Sequence, residues 1–118
     1  MINRFIEAQQ KYYDTALAEI KAGKKQTHWI WFIFPQMRGL GRSKISEYYG
    51  IRDRAEAKEY IENPLLRNRL IECATAAYYC KNSVYDIFGS DAIKVRSSMK
   101  LFSSVSDISI FKQLLDKF

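Results

Sequence analysis

The sequence predicts an all-α fold, a compact multihelical single domain, on three observations. Apolar residues recur at helical spacings, capping residues precede most apolar clusters, and no two segments alternate as paired strands would. With 118 residues, 47% of them hydrophobic and 27% charged, the chain has apolar material for one core. That composition is far from the charge-rich, hydrophobe-poor chains that stay disordered.

Asn3 is placed to cap a first helix whose apolar stripe is Phe5, Tyr12, Tyr13, Ala16, Leu17 and Ile20, and Gly23 is a natural terminator. Thr27 is the expected cap of a short element from His28 to Phe34 that Pro35 stops. Its unbroken apolar run suits a buried strand as well as a helix, and the absence of an alternating partner favours the helix. Gly39-Leu40-Gly41 forms a flexible loop, after which Ser43 caps a short helix ending at Gly50. Asp53 and Glu56 make a variant capping box for a helix to about Glu62. Asn63 then caps the longest helix of the series, with Pro64 at its first position; it runs to about Cys80 and buries Leu66, Leu70, Cys73, Ala74 and Ala77. Ser83 with Asp86 opens a short helix that Gly89 ends, Ser90 caps one running to about Ser104, and Asp107 caps a final piece.

The net charge of +6 is segregated along the chain. Between Glu19 and Glu47 stand Lys21, Lys24, Lys25, Arg38, Arg42 and Lys44 with no acid; between Asp91 and Asp107 stand Lys94, Arg96 and Lys100, again with none. Such asymmetry favours an anionic partner, a phosphate, nucleotide or nucleic acid, and equally suits a solvated basic surface. The longest apolar run, Trp29 to Phe34, is six residues, whereas a membrane-spanning helix needs about 20. The amino terminus carries charge too early for a signal peptide, so the expected location is the cytoplasm, away from membranes. Cys73 and Cys80, on one helix, would lie about 10 Å apart, beyond the roughly 7 Å reach of a disulfide. With one distant histidine they make no zinc site, and no metal or cofactor is expected.

Candidate site residues fall in four places. Gln9 lies on the apolar stripe of the first helix, as a crosslink between helices or as a ligand-reading amide, while Glu7, Asp14 and Glu19 fall on the solvated face. In the His28–Gln36 segment both faces are apolar, which places the element inside the molecule. His28 is then a satisfied core residue or a general acid or base, and Trp31 a ring able to stack on a ligand. The glycine loop carrying Arg42 and Ser43 reads as a structural turn or as an anion site at a helix start. On the helix after Ser90, Ala92, Val95, Met99 and Phe102 face the core. Asp91, Lys94 and Ser98 line an adjacent edge able to bind a phosphate or sugar, or to form a salt bridge; Ser98 as an activated nucleophile is a further option.

Several segments together resemble a bacterial family, domain of unknown function eighteen-ten, also labelled Rv-type or calpastatin-like. They are Arg4 to Gln9, Ala22 to Gln36, Gly39 to Ser43, Asn63 to Leu66 and Lys94 to Phe102. The resemblance covers nearly the whole chain and implies a multihelical fold with no settled activity. Members of that family continue beyond the segment matching Leu114 to Phe118. A more distant likeness, carried by Glu7-Ala8-Gln9 with Lys11, is to YbiA-like NADAR domains; it implies a pocket for a ribosylated or nucleotide-like ligand and a carboxylate acting at a glycosidic carbon.

The expected function is therefore binding of a small phosphorylated or nucleotide-like anion, with hydrolysis of an N-glycosidic bond as its catalytic extension. The pocket would form from the first helix, the His28–Gln36 segment and the helix after Asp91. Gln9, His28 and Gln36 would orient the ligand, Trp31 would stack, and Arg42, Ser43, Lys94, Arg96 and Ser98 would hold the anion. A nucleic-acid-binding module and a protein-interaction module with a purely structural aromatic segment are the alternatives.

Overall fold

Four helices begin where the sequence places a capping side chain. In the computed structural model, which describes residues 1–118, Ser43 Oγ accepts from Ser46 N (3.1 Å) and Asp53 Oδ1 from Glu56 N (2.8 Å). Asn63 Oδ1 accepts from Leu66 N and Ser83 Oγ from Asp86 N, both at 3.1 Å. These caps open α3 (Lys44–Tyr49), α4 (Arg54–Glu62), α5 (Pro64–Tyr79) and α6 (Val84–Phe88). The remaining helices are α1 (Asn3–Ala22), α2 (Ile30–Ile33), α7 (Ala92–Ser104) and α8 (Ser109–Asp116), with one 3-10 turn at Gly89–Asp91. Outside the helices the only ladder-like pairing is a single parallel bridge between Met37 and Ile51.

Four expected caps are not used. The residue before α2 is Trp29, and the Thr27 hydroxyl donates to Glu19 Oε2 (2.7 Å) instead. Asn3 already lies within α1, whose preceding residue is Ile2. The 3-10 turn takes up Ser90, and α8 starts after Ile108, one residue beyond Asp107. At 20 residues α1, and not the 16-residue α5, is the longest helix. Its end follows the glycine rule: Gly23 adopts φ 87°, and Gly23 N and Lys24 N return to Ile20 O and Glu19 O. A side chain there would collide with Asn82, whose amide donates to Gly23 O.

α5 lies between α1 and α8, α8 packs on α7, α4 joins α5 to α7, and α2 sits on α1 and α3. One continuous core of 28 buried residues results, with Phe5, Trp29, Tyr60, Phe102 and Phe111 among its largest members. The buried stripes of α5 and α7 are those the spacing predicts, with Ser98 added to the second. On α1 the stripe runs Phe5, Gln9, Tyr13, Ala16 and Ile20, leaving Tyr12 exposed. The last carbonyls of α5 are satisfied from the far end of the chain, where Lys117 Nζ donates to Ala77 O and Cys80 O at 2.7 Å each. Cys73 is buried and Cys80 half-buried, both as free thiols. No helix is long and apolar enough to cross a membrane.

Candidate functional site

The residues expected to form one pocket separate into different environments. Gln9 is the crosslink: buried on α1, its Nε2 donates to Phe32 O (2.7 Å) and to Tyr60 Oη (3.0 Å), tying α1 to α2 and α4. Ser98 is fully buried on α7 and its hydroxyl has no partner, so it lines no edge. His28 is exposed, contrary to the expectation of a core position. The helix begins only at Ile30, so Trp29, Ile30, Phe32, Ile33 and Phe34 turn inward while the segment before them stays at the surface.

Trp31 and Lys94 do meet. Lys94 Nζ stands 5.6 Å over the half-buried Trp31 ring and also bonds Asp91 (2.8 Å). The other Asp91 oxygen takes Lys25 (2.9 Å), which lies 5.2 Å over Trp29. Burial alone would raise the Asp91 pKa, but hydrogen bonds from Lys94 and Lys25 overcome it and leave the carboxyl below its ordinary value. Of the two readings of this edge, the geometry is that of the salt bridge. Gln36 uses its backbone oxygen to accept from Ile51 N, Ser43 is occupied as the α3 cap, and Arg42 and Arg96 are exposed. None of these nine side chains lines any of the four surface depressions. Glu7 and Lys11 share a shallow depression with Gln10, and Gln9 points away from it.

A different basic corner is concave. Arg38, Lys44, Glu47 and Tyr48 line a depression of about 410 Å3. Beside it, Arg38 and Tyr48 also line a second one of about 210 Å3 with Met1, Arg4, Arg52 and Glu56. The two ends of the predicted glycine loop thus supply the cations Arg38 and Lys44.

Backbone contacts that only glycine permits build this corner. Residues 36–38 run against residues 50–51 through Ile51 N to Gln36 O (2.9 Å) and Arg38 N to Ile51 O (2.8 Å). A Cβ on Gly50 would lie 2.7 Å from Arg38 Cα, and one on Gly41 2.7 Å from the Ser46 side chain. Gly39 turns the loop with φ 98°.

Arg4 fastens the corner to α1. Its Nε donates to Tyr48 O (2.7 Å), Nη1 to Met1 O and Glu56 Oε2 (3.0 Å), and Nη2 to Gly50 O and Glu56 Oε1 (2.9 Å each). These contacts occupy all five guanidinium N–H groups, leaving none for a ligand. Glu56 also accepts from Arg52 N (2.9 Å). Its burial would raise the carboxyl pKa, yet the bonds from Arg4 and Arg52 N hold it below the ordinary range, so it is a locked counter-ion.

The other cations are less committed. Arg38 and Lys44 have no carboxylate within salt-bridge distance, and Arg52 reaches Glu56 only at 3.8 Å through Nε. Tyr48 is 58% exposed and its ring stands edge-on to Tyr49 (4.8 Å), which itself packs against Phe5 and Phe32. Two unpaired cations beside a braced, solvent-facing ring can hold an anion that carries a flat group.

The fold is that of a small all-α protein. The chain matches the family described as protein of unknown function (DUF1810) over residues 1–118, and it belongs to that family. It is similar to the conserved hypothetical protein Rv1873 from Mycobacterium tuberculosis. The two are 41% identical with a TM-score of 0.96, over 99% of this chain and 86% of the crystallised one. No curated protein matches. The family membership expected from the sequence therefore holds, and neither match connects the chain to NADAR domains.

Proposed function

We propose that this protein binds a small phosphorylated or nucleotide-like anion at the corner lined by Arg38, Lys44 and Tyr48. The observation that carries the reading is the convergence of two cations without acidic partners on one depression beside an exposed ring. Elsewhere, Lys25 and Lys94 are both ion-paired to Asp91, which makes them less available than Arg38 and Lys44 for an anion at the Trp31 edge. Binding is favoured over turnover, because both Glu56 oxygens are held in place and Glu47 is the one other carboxylate lining the corner.

Thermal shift with inorganic phosphate, AMP and a short oligonucleotide at low and high salt tests the reading, since a ligand selective for the native state raises Tm by mass action. The expected result is a salt-tolerant rise with AMP that disappears in the Arg38→Gln, Lys44→Gln double variant while the ligand-free Tm is kept. A rise with the oligonucleotide alone, erased by salt, supports a nucleic-acid module instead. No rise with any of them removes the anion reading.

A further inference from the structure

We infer that the ligand of this corner carries two linked phosphoryl groups, as a nucleoside diphosphate does; the inference rests on the anion-binding reading above. The argument starts from Arg38, which lines both depressions together with Tyr48. A guanidinium has two edges, each able to meet a separate phosphoryl oxygen pair. In the larger depression the other cation beside Arg38 is Lys44. In the smaller depression the other cation with free donors is Arg52, whose side chain is 43% exposed and makes no hydrogen bond. Arg4, also in that depression, has no free donor, so Arg52 is the cation available to a second phosphoryl group.

Glu47 narrows the class further. It lines the larger depression and makes no ion pair with Lys44, Arg38 or any other cation. An unpaired carboxylate repels a bare polyanion and accepts hydrogen bonds from hydroxyl groups. Next to the Tyr48 ring, that combination favours phosphoryl groups attached to a sugar and a flat base over free pyrophosphate.

Calorimetric titration of the intact chain with AMP, ADP and pyrophosphate decides the matter. The expected order is ADP tighter than AMP by about tenfold, from one added charge-assisted contact, and ADP tighter than pyrophosphate. Arg52→Gln removes the ADP advantage and leaves AMP affinity unchanged. The variant keeps the fold, because the Arg4 side chain and the backbone N–H of residue 52 still satisfy Glu56. Equal affinities for AMP and ADP, or an Arg52→Gln loss of the same size for both, overturns the two-phosphoryl inference and leaves anion binding standing. Pyrophosphate binding as tightly as ADP overturns the nucleoside part. If none of the three binds, the underlying reading fails with it.

Discussion

Glu19 Oε1 accepts the indole N–H of Trp29 at 2.9 Å, and the same carboxylate takes the amide protons of Gln26 and Thr27 and the Thr27 hydroxyl. One side chain near the end of α1 thereby closes the turn into the aromatic segment. Burial would raise its pKa, but these four donors outweigh burial and lower it from the ordinary 4.5 to about 2. A carboxyl depressed in the folded state contributes stability that is complete above its unfolded pKa and lost as pH falls through the folded one. The window here is from about pH 4.5 down to about 2. Glu19→Gln is expected to cost about 2 kcal/mol at neutral pH, the usual scale for hydrogen bonds to a charged group. The gap between variant and parent should narrow across that window. Urea unfolding at a series of pH values measures both, and a constant gap would refute the assignment.

The Arg4–Glu56 pair is almost wholly buried, with side-chain exposures of 10% and 1%. Removing one partner leaves the other charged and stranded, so Arg4→Met is expected to destabilise by about 3 kcal/mol. Lys at position 4 should rescue little, because one ammonium cannot reach Tyr48 O, Gly50 O and both Glu56 oxygens together. The Arg4→Met, Glu56→Met double variant should be more stable than the sum of its singles predicts. Denaturant midpoints of the four proteins test this, and simple additivity would contradict it.

Gln9 and Ser98 are both buried and polar, but only Gln9 makes hydrogen bonds, through Nε2, so their substitutions should differ in effect. Gln9→Leu strips the donor from Phe32 O and Tyr60 Oη, at an expected cost of about 2 kcal/mol. Ser98→Ala removes a hydroxyl with no partner and should leave Tm unchanged or raise it. A Tm loss of several degrees in Ser98→Ala would mean that the hydroxyl has a role the packing does not reveal.

Trp29 is 0% exposed while Trp31 is half-buried. Acrylamide should therefore quench the parent through Trp31, and Trp31→Phe should leave emission that resists quenching. Strong residual quenching in that variant would show that the aromatic segment opens in solution.

Local chemistry made most of the fold readable. Ser43, Asp53, Asn63 and Ser83 each bond the amide three residues on, as their positions in the sequence imply. The start of α1 and the start of α8 were not readable, since no side chain caps either. Glu56 illustrates why the site was harder. In the sequence it completes a capping box with Asp53; its carboxylate does accept from Arg52 N beside the helix start, but it also holds Arg4, 52 residues away. Glu19 looked solvated for a comparable reason, as its partners belong to a turn whose path spacing does not reveal. His28 was misplaced because an apolar run marks which residues are buried without marking where the helix begins.

The bare backbone of Gly50 sets how near the segment carrying Arg38 can come to the segment carrying Arg52. The spacing between two like charges at the corner is thus gauged by the thickness of uncharged main chain. A single methyl group introduced there would push the Arg38 backbone away while leaving every ionisable side chain in the sequence as it was.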